Sequence, residues 1–457
     1  MLFHTHEFLA LLVVTLVCFH LAPLPRRPII LLVASLIFYS YAGLGMLALF
    51  LAVSGFAYFC LRRIEAGQTG WVAIGVAVIL ANLIAFKYAP LVFDTAADLV
   101  IVGISFYSFQ LIAVLVDAGR GQRLDVRSFR ELLLFIMFFG HLIAGPIMRG
   151  REFFPQLHVL PGPSVAQLRS GLVLLIAGVI KKVVFADALL SGRVDALFAS
   201  GADLSIAAAW LAPLLFGFQI YFDFSGYVDM ALGMSRLFGL ELMPNFSTPF
   251  IARTPSEFWS RWNITLSRWF GDYVYIPLGG SRGTIFRTVR NLLITMVLSG
   301  LWHGAGWTFL VWGAIHGVYL AGFHALRHAV PRVAGALASG GLQWLGWVTT
   351  FSVTTIAWVY FRAPHVADAN VIVGNMFGVT PGAIAAPSIG YVIVVALLLL
   401  HRAEAWWNAN LDAIVQRAGE RWMRLPGPVQ ALAAFPILFV IVAITKVVRG
   451  TFIYFQF

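Results

Sequence analysis

The chain alternates long apolar runs with short polar connections over almost its whole length. Thirteen apolar runs of spanning or near-spanning length occur, at 8–22, 29–41, 46–61, 71–88, 99–117, 132–148, 171–190, 207–233, 291–302, 305–325, 344–361, 387–401 and 432–448. A transmembrane helix needs about 20 predominantly apolar residues. The pattern predicts an all-α, polytopic integral membrane protein with about 10–12 transmembrane helices, and the shorter runs predict re-entrant or interfacial helices.

No linker or sequence repeat interrupts this alternation. We therefore expect a single membrane domain over residues 1–457, with its most distinctive segments at 100–325 and its C-terminal transmembrane helices at 344–457.

Composition and charge support a membrane protein. Hydrophobic residues make up 60% of the chain and charged residues 11%, compared with about 25% charged residues in soluble domains. The net charge of +11 is concentrated in short loops, as the positive-inside rule requires, and no basic arm or aromatic-basic module predicts nucleic-acid binding. Arg26-Arg27, Arg62-Arg63 and the 120–130 loop should be cytoplasmic, which places the N-terminus and the Asp94/Asp98 loop outside.

The longest stretch without Asp, Glu, Lys or Arg runs from Arg290 to Arg327 and contains His303 and His316. A straight helix over it would measure about 54 Å, against a hydrocarbon core of about 30 Å. Gly300, Gly304 and Gly306 therefore predict a break near His303. Non-helical backbone at membrane depth needs protein or a water-filled cavity beside it, and an ionisable residue there indicates a functional site.

The two histidines are thirteen positions apart, about 220° around an ideal helix. They would share a face only if the helix breaks between them. A neutral imidazole can take a proton from a hydroxyl group near neutral pH, so His303 is a candidate general base. His316 is left open as a substrate-orienting, supporting or packing residue. Two histidines without a third ligand do not predict a zinc site.

Residues 250–290 are too polar to span and too aromatic for an ordinary loop. Thr254-Pro255-Ser256-Glu257 is a capping box that predicts a helix start. The segment places an apolar stripe (Trp259, Trp262, Leu266, Trp269) and a polar face (Arg261, Thr265, Arg268, Asp272) at helical spacing. The pattern is typical of an interfacial helix with anchoring tryptophans, and Pro277 and Gly279-Gly280 should end it.

Three further clusters place ionisable groups in apolar surroundings. Residues 221–229 contain two carboxylates, which either bind the backbone of a broken helix or order a catalytic histidine. Residues 141–146 form another broken apolar run that carries a histidine. Lys181-Lys182 is interpreted as a topology determinant. The chain lacks nucleotide-binding glycine loops and nucleophile elbows. The residues alone therefore support an enzyme and a transporter about equally well.

The motifs together resemble the membrane-bound O-acyltransferase family, and within it the bacterial branch similar to alginate O-acetyltransferases. The matching segments are GISFYSFQ at 103–110, HLIAGPIMR at 141–149, YFDFSGYVDMALG at 221–233, PSEFWSRWNITLSRWFGDYVYIPLGGSRG at 255–283, RNLLITMVLSGLWHGAGWTFLVWGAIHG at 290–317 and FIYFQF at 452–457. The resemblance implies a ring of tilted helices around a central funnel.

The resemblance also implies a catalytic His303, with His316 as a second important residue. The candidates for the substrate funnel or for support of the histidines are Trp302, Asp223, Ser225, Tyr227, Asp229 and His141. The candidates for contact with the donor are Arg253, Arg261, Asn263 and Arg268.

The function expected from the resemblance is O-acetyl transfer from a cytoplasmic thioester to hydroxyl groups of an extracytoplasmic, alginate-type polysaccharide. Acetyl-CoA or an acyl carrier protein would be the donor substrate, with no bound cofactor and no metal. We expect a multi-pass protein of the bacterial inner membrane, in contact with lipid, with a secreted or membrane-anchored SGNH-esterase-like partner. The alternatives are acetylation of cellulose or peptidoglycan, D-alanyl transfer to teichoic acid, and a transporter or flippase with structural histidines.

Overall fold

The computed structural model describes residues 3, 5–92 and 103–423, and within them the regular structure is helical apart from one isolated bridge between Leu204 and Ile384. The Asp94/Asp98 loop, the apolar run at 432–448 and the segment at 452–457 lie outside the described residues. The described chain divides into two compact units. One takes in the described residues of 1–180, 226–244 and 411–449, and the other takes in 181–225 and 245–410.

Nine α-helices occur among the described residues of the N-terminal part of the first unit. They are α1 (His6–Leu21), α2 (Arg27–Ser40), α3 (Leu44–Glu65), α4 (Trp71–Val92), α5 (Ile104–Gly119), α6 (Phe129–Met137), α7 (Phe139–Leu142), α8 (Gly150–Val159) and α9 (Val165–Val179). The predicted break in the run at 132–148 is confirmed, because Phe138 separates α6 from α7.

Helix α9 continues into a π-helix, Ile180–Ser191, at which the second unit begins. The remaining helices are α10 (Gly192–Ala199), α11 (Ile206–Leu237), α12 (Pro255–Arg261), α13 (Ile264–Phe270), α14 (Ile285–His303), α15 (Trp307–Ala329), α16 (Pro331–Ala338), α17 (Gln343–Arg362), α18 (Val366–Met376) and α19 (Ser388–Met423). The C-terminal part of α11 belongs to the first unit, where glycines allow it to approach α9. A Cβ on Gly171 would lie 2.8 Å from the Gly233 carbonyl oxygen.

Five described helices are long and apolar enough to cross a membrane: Leu44–Glu65, Trp71–Tyr88, Ile206–Leu237, Trp307–Ala329 and Ser388–Arg421. The shorter helices His6–Leu21 and Ile104–Gly119 are also apolar. The expected 10–12 spans also counted runs that the fold divides, such as 171–190, which is split between α9 and the π-helix. The chain is an all-α membrane protein.

The helix start predicted at Thr254 is confirmed. The Thr254 hydroxyl accepts the Glu257 N–H at 3.1 Å, and Pro255 occupies the first turn. The predicted single helix is wrong, however, because Asn263 adopts a left-handed conformation (φ 41°) between α12 and α13. Asn245 holds this bend: its carbonyl accepts the Ile264 N–H and its side chain accepts the Thr265 N–H.

The interpretation of the tryptophans as exposed interfacial anchors is also wrong. Trp259, Trp262 and Trp269 are all buried, and Trp262 is only 1% exposed. Trp259 and Trp262 belong to the apolar core of the second unit, together with Trp312 and Trp358. Regular structure ends after the π-turn at Gly271–Tyr275, and Gly279 and Gly280 both have positive φ.

Helices α14 and α15 form a closely packed antiparallel pair, joined at the predicted break. Gly304 ends α14 in an extended conformation, and α15 begins at Trp307. A Cβ on Gly300 would lie 2.2 Å from the Phe309 carbonyl oxygen, and one on Gly313 would lie 2.4 Å from that of Met296. Small residues at these positions therefore let the two backbones approach, as in other membrane helix pairs.

We expect Gly313→Ala to destabilise the protein by about 1–3 kcal/mol, because the added methyl group meets backbone that cannot rotate away. The matched control is Gly322→Ala in the same helix, where a Cβ meets nothing within 4 Å and the alanine should be neutral or slightly stabilising. Thermal unfolding of the purified protein, followed by tryptophan fluorescence, measures both effects. Equal melting temperatures for the two variants would contradict the close-packing account.

Candidate active site

The break between α14 and α15 brings the two histidines to the same aromatic side chain. The ring centroids of His303 and Trp312 are 4.9 Å apart, and those of His316 and Trp312 are also 4.9 Å apart. From the sequence, the two histidines could share one site only if the helix breaks between them. The structure has that break at residues 304–306. Both histidines are buried, with His303 4% and His316 2% exposed.

Aromatic rings surround each histidine. Trp302 and Phe361 lie 4.8 and 5.1 Å from the His303 ring. Trp259 contacts the His316 ring edge-on at 5.0 Å, and Phe258 is stacked on it at 5.9 Å. These rings are contributed by α12, α14, α15 and α17, so packing of four helices fixes the positions of both imidazoles.

Several polar atoms in this core have no hydrogen-bond partner among the described residues. They are Nε2 of His316, the indole nitrogens of Trp259, Trp312 and Trp358, and both side-chain amide atoms of Asn263. Buried polar groups are normally hydrogen-bonded, so a group of them without partners indicates a place for water or substrate. Asn263 is 1% exposed and holds a left-handed conformation that is costly for a residue other than glycine.

A polar stripe on α14 leads to His303. Asn291, Thr295, Ser299 and His303 follow one another at intervals of four residues, and all are buried. The Asn291 side chain donates to the carbonyls of Leu278 and Gly280, which fixes the turn after the π-helical segment. The stripe was missed in the sequence, although its four-residue spacing is visible there.

A cavity of about 170 Å³ lies along this stripe. Its wall is formed by α12, α13, the following π-turn, α14 and α15: Trp259, Leu266, Ser267, Phe270, Gly271, Tyr275, Leu292, Thr295, Met296, Ser299 and Leu320. Ser299 lies one helical turn before His303, and Trp259 touches the His316 ring. The cavity thus lies between the arginine-rich segment and α14, and its wall includes close neighbours of both histidines but not the histidines themselves.

The four donor-side candidates have different surroundings. Arg261 forms an ion pair with Glu257 at 2.9 Å and donates to the Ser247 carbonyl, so it holds the local fold. Arg268 is exposed on α13, whose residues line the cavity. Arg253 is exposed just before α12, and Asn263 is buried.

Asp223 lies in the second unit on an unbroken α11, so the interpretation that it binds the backbone of a broken helix is wrong. Its carboxylate accepts from the Lys182 ammonium at 2.5 Å, and Lys182 also donates to Asp187 at 2.9 Å. The π-helix explains this geometry, because its hydrogen bonds join residues i and i+5 and so bring Lys182 and Asp187 toward one face. Ser225 is buried nearby in sequence, and its hydroxyl has no partner among the described residues.

Lys181, which was also interpreted as a topology determinant, forms a partly buried ion pair. Its ammonium contacts Glu404, which also accepts the Tyr221 hydroxyl at 2.7 Å and lies 3.4 Å from His401. Sequence reasoning missed both lysine pairs because their partners are 41 and 223 residues away.

The remaining candidates belong to the first unit. His141 is 1% exposed, and its Nε2 donates to the Phe135 carbonyl at 2.5 Å, which satisfies a backbone group at the end of α6. Tyr227 is buried and stacked on Phe3 at 4.3 Å, and Asp229 is half-buried on α11.

Comparison with known proteins gives one family and several similar enzymes. The model of MBOAT, the membrane-bound O-acyltransferase family, matches residues 122–360. The "Probable alginate O-acetylase AlgI" of Azotobacter vinelandii is 38% identical over 400 residues, which cover 82% of this chain and 78% of that protein. The peptidoglycan O-acetyltransferase of Helicobacter pylori is 33% identical, over 76% of this chain and 73% of that protein.

The teichoic acid D-alanyltransferase of Streptococcus thermophilus is similar over a smaller part, with 31% identity over 53% of this chain and 61% of that protein. The family match includes both histidines, the arginine-rich segment and the cavity between them. The chain therefore belongs to the membrane-bound O-acyltransferase family and is an acyltransferase.

Proposed function

We propose that this protein transfers an acetyl group from a cytoplasmic thioester to hydroxyl groups of an extracytoplasmic polysaccharide of the alginate type. The observation that carries the proposal is the pair of buried histidines beside Trp312, with a cavity next to them that is lined in part by the arginine-rich segment. The names of the relatives at 33–38% identity support O-acetylation of a polymer. Acetylation of peptidoglycan is the second candidate, supported by the Helicobacter pylori relative.

The length and direction of α14 support a donor and an acceptor on opposite sides of the membrane. The helix begins beside the arginines at 282–290, which the positive-inside rule assigns to the cytoplasm. Its nineteen residues extend about 28 Å, close to the hydrocarbon thickness of about 30 Å. His303 at its C-terminal end is therefore displaced from the cytoplasmic face toward the acceptor side, while the cavity lies along the middle of the helix.

In the proposed reaction, a neutral His303 imidazole accepts the proton of an acceptor hydroxyl group. The hydroxyl oxygen attacks the thioester carbonyl carbon, and the tetrahedral intermediate collapses as the C–S bond breaks. The imidazolium returns the proton to the leaving thiolate, so the products are the acetyl ester and the free thiol. His316 and the indole N–H groups lie where they can orient the reacting groups.

On the donor side, acetyl-CoA or an acyl carrier thioester is a substrate and not a bound cofactor. An exposed arginine such as Arg268 can attract the phosphates of either donor. We further propose that the protein resides in the bacterial inner membrane and that an SGNH-esterase-like partner completes transfer to the polymer outside. Both proposals rest on the resemblance to the bacterial branch of the family.

We expect His303→Ala to lower polymer-bound acetate by at least about 10²-fold, because general base catalysis typically contributes ~10²–10⁴-fold. His324→Ala is the matched control, since His324 is a half-buried histidine of α15, eight residues beyond His316. Acetate released by mild alkali from extracted polysaccharide measures the effect, at matched protein abundance. Wild-type acetylation in the His303→Ala strain would refute the role as base.

We expect Ser299→Leu to lower kcat/KM for the donor about tenfold or more, because the larger side chain occupies the cavity one turn before His303. Ser299→Ala keeps the space and should retain activity near that of the wild type. Thiol release from acetyl-CoA by membranes containing each variant distinguishes them. Equal donor kinetics for Ser299→Leu and Ser299→Ala would exclude this cavity as the donor path.

We expect Arg268→Gln to raise KM for the donor severalfold with little change in kcat, and the difference from wild type should shrink at high salt. The control is Arg332→Gln, an exposed arginine after α15 that does not line the cavity. Donor kinetics at low and high ionic strength provide the measurement. An unchanged KM in Arg268→Gln would show that Arg268 does not bind the donor and serves only to set the membrane topology.

A further inference from the structure

A second and larger cavity lies on the face of α15 that turns away from the histidines. It has a volume of about 710 Å³ and is formed by α15, α16 and α17. Along α15 its wall is the stripe Val311, Ile315, Val318, Gly322 and Leu326. Val318 is 63% exposed, so this groove is open at the surface of a helix that is long and apolar enough to span a membrane.

One end of the groove carries a cation. Arg253 is the charged residue of the lining, and its side chain is exposed. The Glu257 carboxylate accepts the Arg253 backbone N–H at 2.8 Å, and the Arg253 carbonyl packs against Gly346. These two contacts fix the backbone position of Arg253. The Arg253 guanidinium donates to the Ala338 carbonyl at 3.5 Å, and the carboxylate of nearby Glu257 is paired with Arg261 instead.

The groove has the dimensions of a lipid chain. From Val311 to Leu326 it follows α15 for about 22 Å, longer than the ~15 Å that one leaflet contributes to the hydrocarbon core. Its volume is in the usual range of small-molecule sites, which are mostly apolar with a few placed polar groups. A cation beside an apolar groove between membrane helices is complementary to an anionic lipid headgroup.

We propose that this groove is a binding site for an anionic phospholipid, with one acyl chain along α15 and the phosphate on Arg253. The inference is independent of acyl transfer, because the cavity proposed for the thioester lies on the other side of α15. It gives Arg253 a role different from that of Arg268. The lipid would fill the space between α15 and α17 and hold the hairpin that carries His303 and His316.

The test uses the full-length chain purified in detergent and native mass spectrometry. Phosphatidylglycerol and phosphatidylcholine with identical acyl chains are added in separate titrations. We expect the wild type to retain phosphatidylglycerol preferentially, and Arg253→Gln to weaken that retention about fivefold without affecting phosphatidylcholine, since one arginine near a lipid surface contributes about 1 kcal/mol. Arg332→Gln is the matched arginine control and should bind like the wild type.

A second variant tests the groove itself. Gly322→Leu should reduce retention of both lipids, because a Cβ at Gly322 meets nothing within 4 Å and the side chain would enter the groove. Gly335→Leu is its control, a helical glycine with equal space outside the lining. Equal retention of the two lipids by the wild type would overturn the proposal, as would displacement of phosphatidylglycerol by coenzyme A. If Gly322→Leu does not fold, the Arg253→Gln variant still tests the proposal, because its exposed side chain can be replaced without disturbing the core.

Discussion

The close approach of α14 to α15 is the constraint on which the candidate site depends. Backbone polar groups inside a membrane cannot be left to lipid, so a break in a helix is tolerated only where protein or a water-filled cavity surrounds it. The glycines at 300 and 313 let the two backbones touch, and the chain can then reverse at residues 304–306 within the protein. Without that reversal, His303 and His316 would point to different sides of one helix. With it, both contact Trp312.

Aromatic packing then determines the chemistry available at the histidines. Large rings exclude bulk water, which strengthens every hydrogen bond formed inside and makes every missing one costly. The ring cluster brings indole N–H groups and the Asn263 amide to the interior without protein partners among the described residues. A ligand that carries hydroxyl and carbonyl groups can satisfy such atoms, whereas a purely apolar one cannot. This preference agrees with a reaction between a hydroxyl group and a thioester.

The parts of the fold that depend on local signals could be predicted from the sequence. The capping box at Thr254 and the glycines around His303 act within a few residues, and both predictions are confirmed. The bend at Asn263 could not be predicted, because hydrogen bonds from the distant Asn245 hold the chain there. For the same reason the sequence predicts an interfacial position for Trp259 and Trp262, although both pack in the core. The catalytic role of His303 stays a prediction until it is tested.

Within the described residues of the second unit, the charged side chains at 181 and 182 are paired, whereas several uncharged polar side chains near His316 are not. The lysines at 181 and 182 form ion pairs with Glu404 and Asp223, and the pair of Lys182 with Asp223 is fully buried. Removal of one partner from a buried pair is far more costly than the pair is stabilising. These pairs therefore hold together the helices that carry them. The uncharged polar atoms around His316 lack partners among the described residues. Because a native fold rarely leaves such atoms unsatisfied, water or a bound ligand is expected to supply their hydrogen-bond partners.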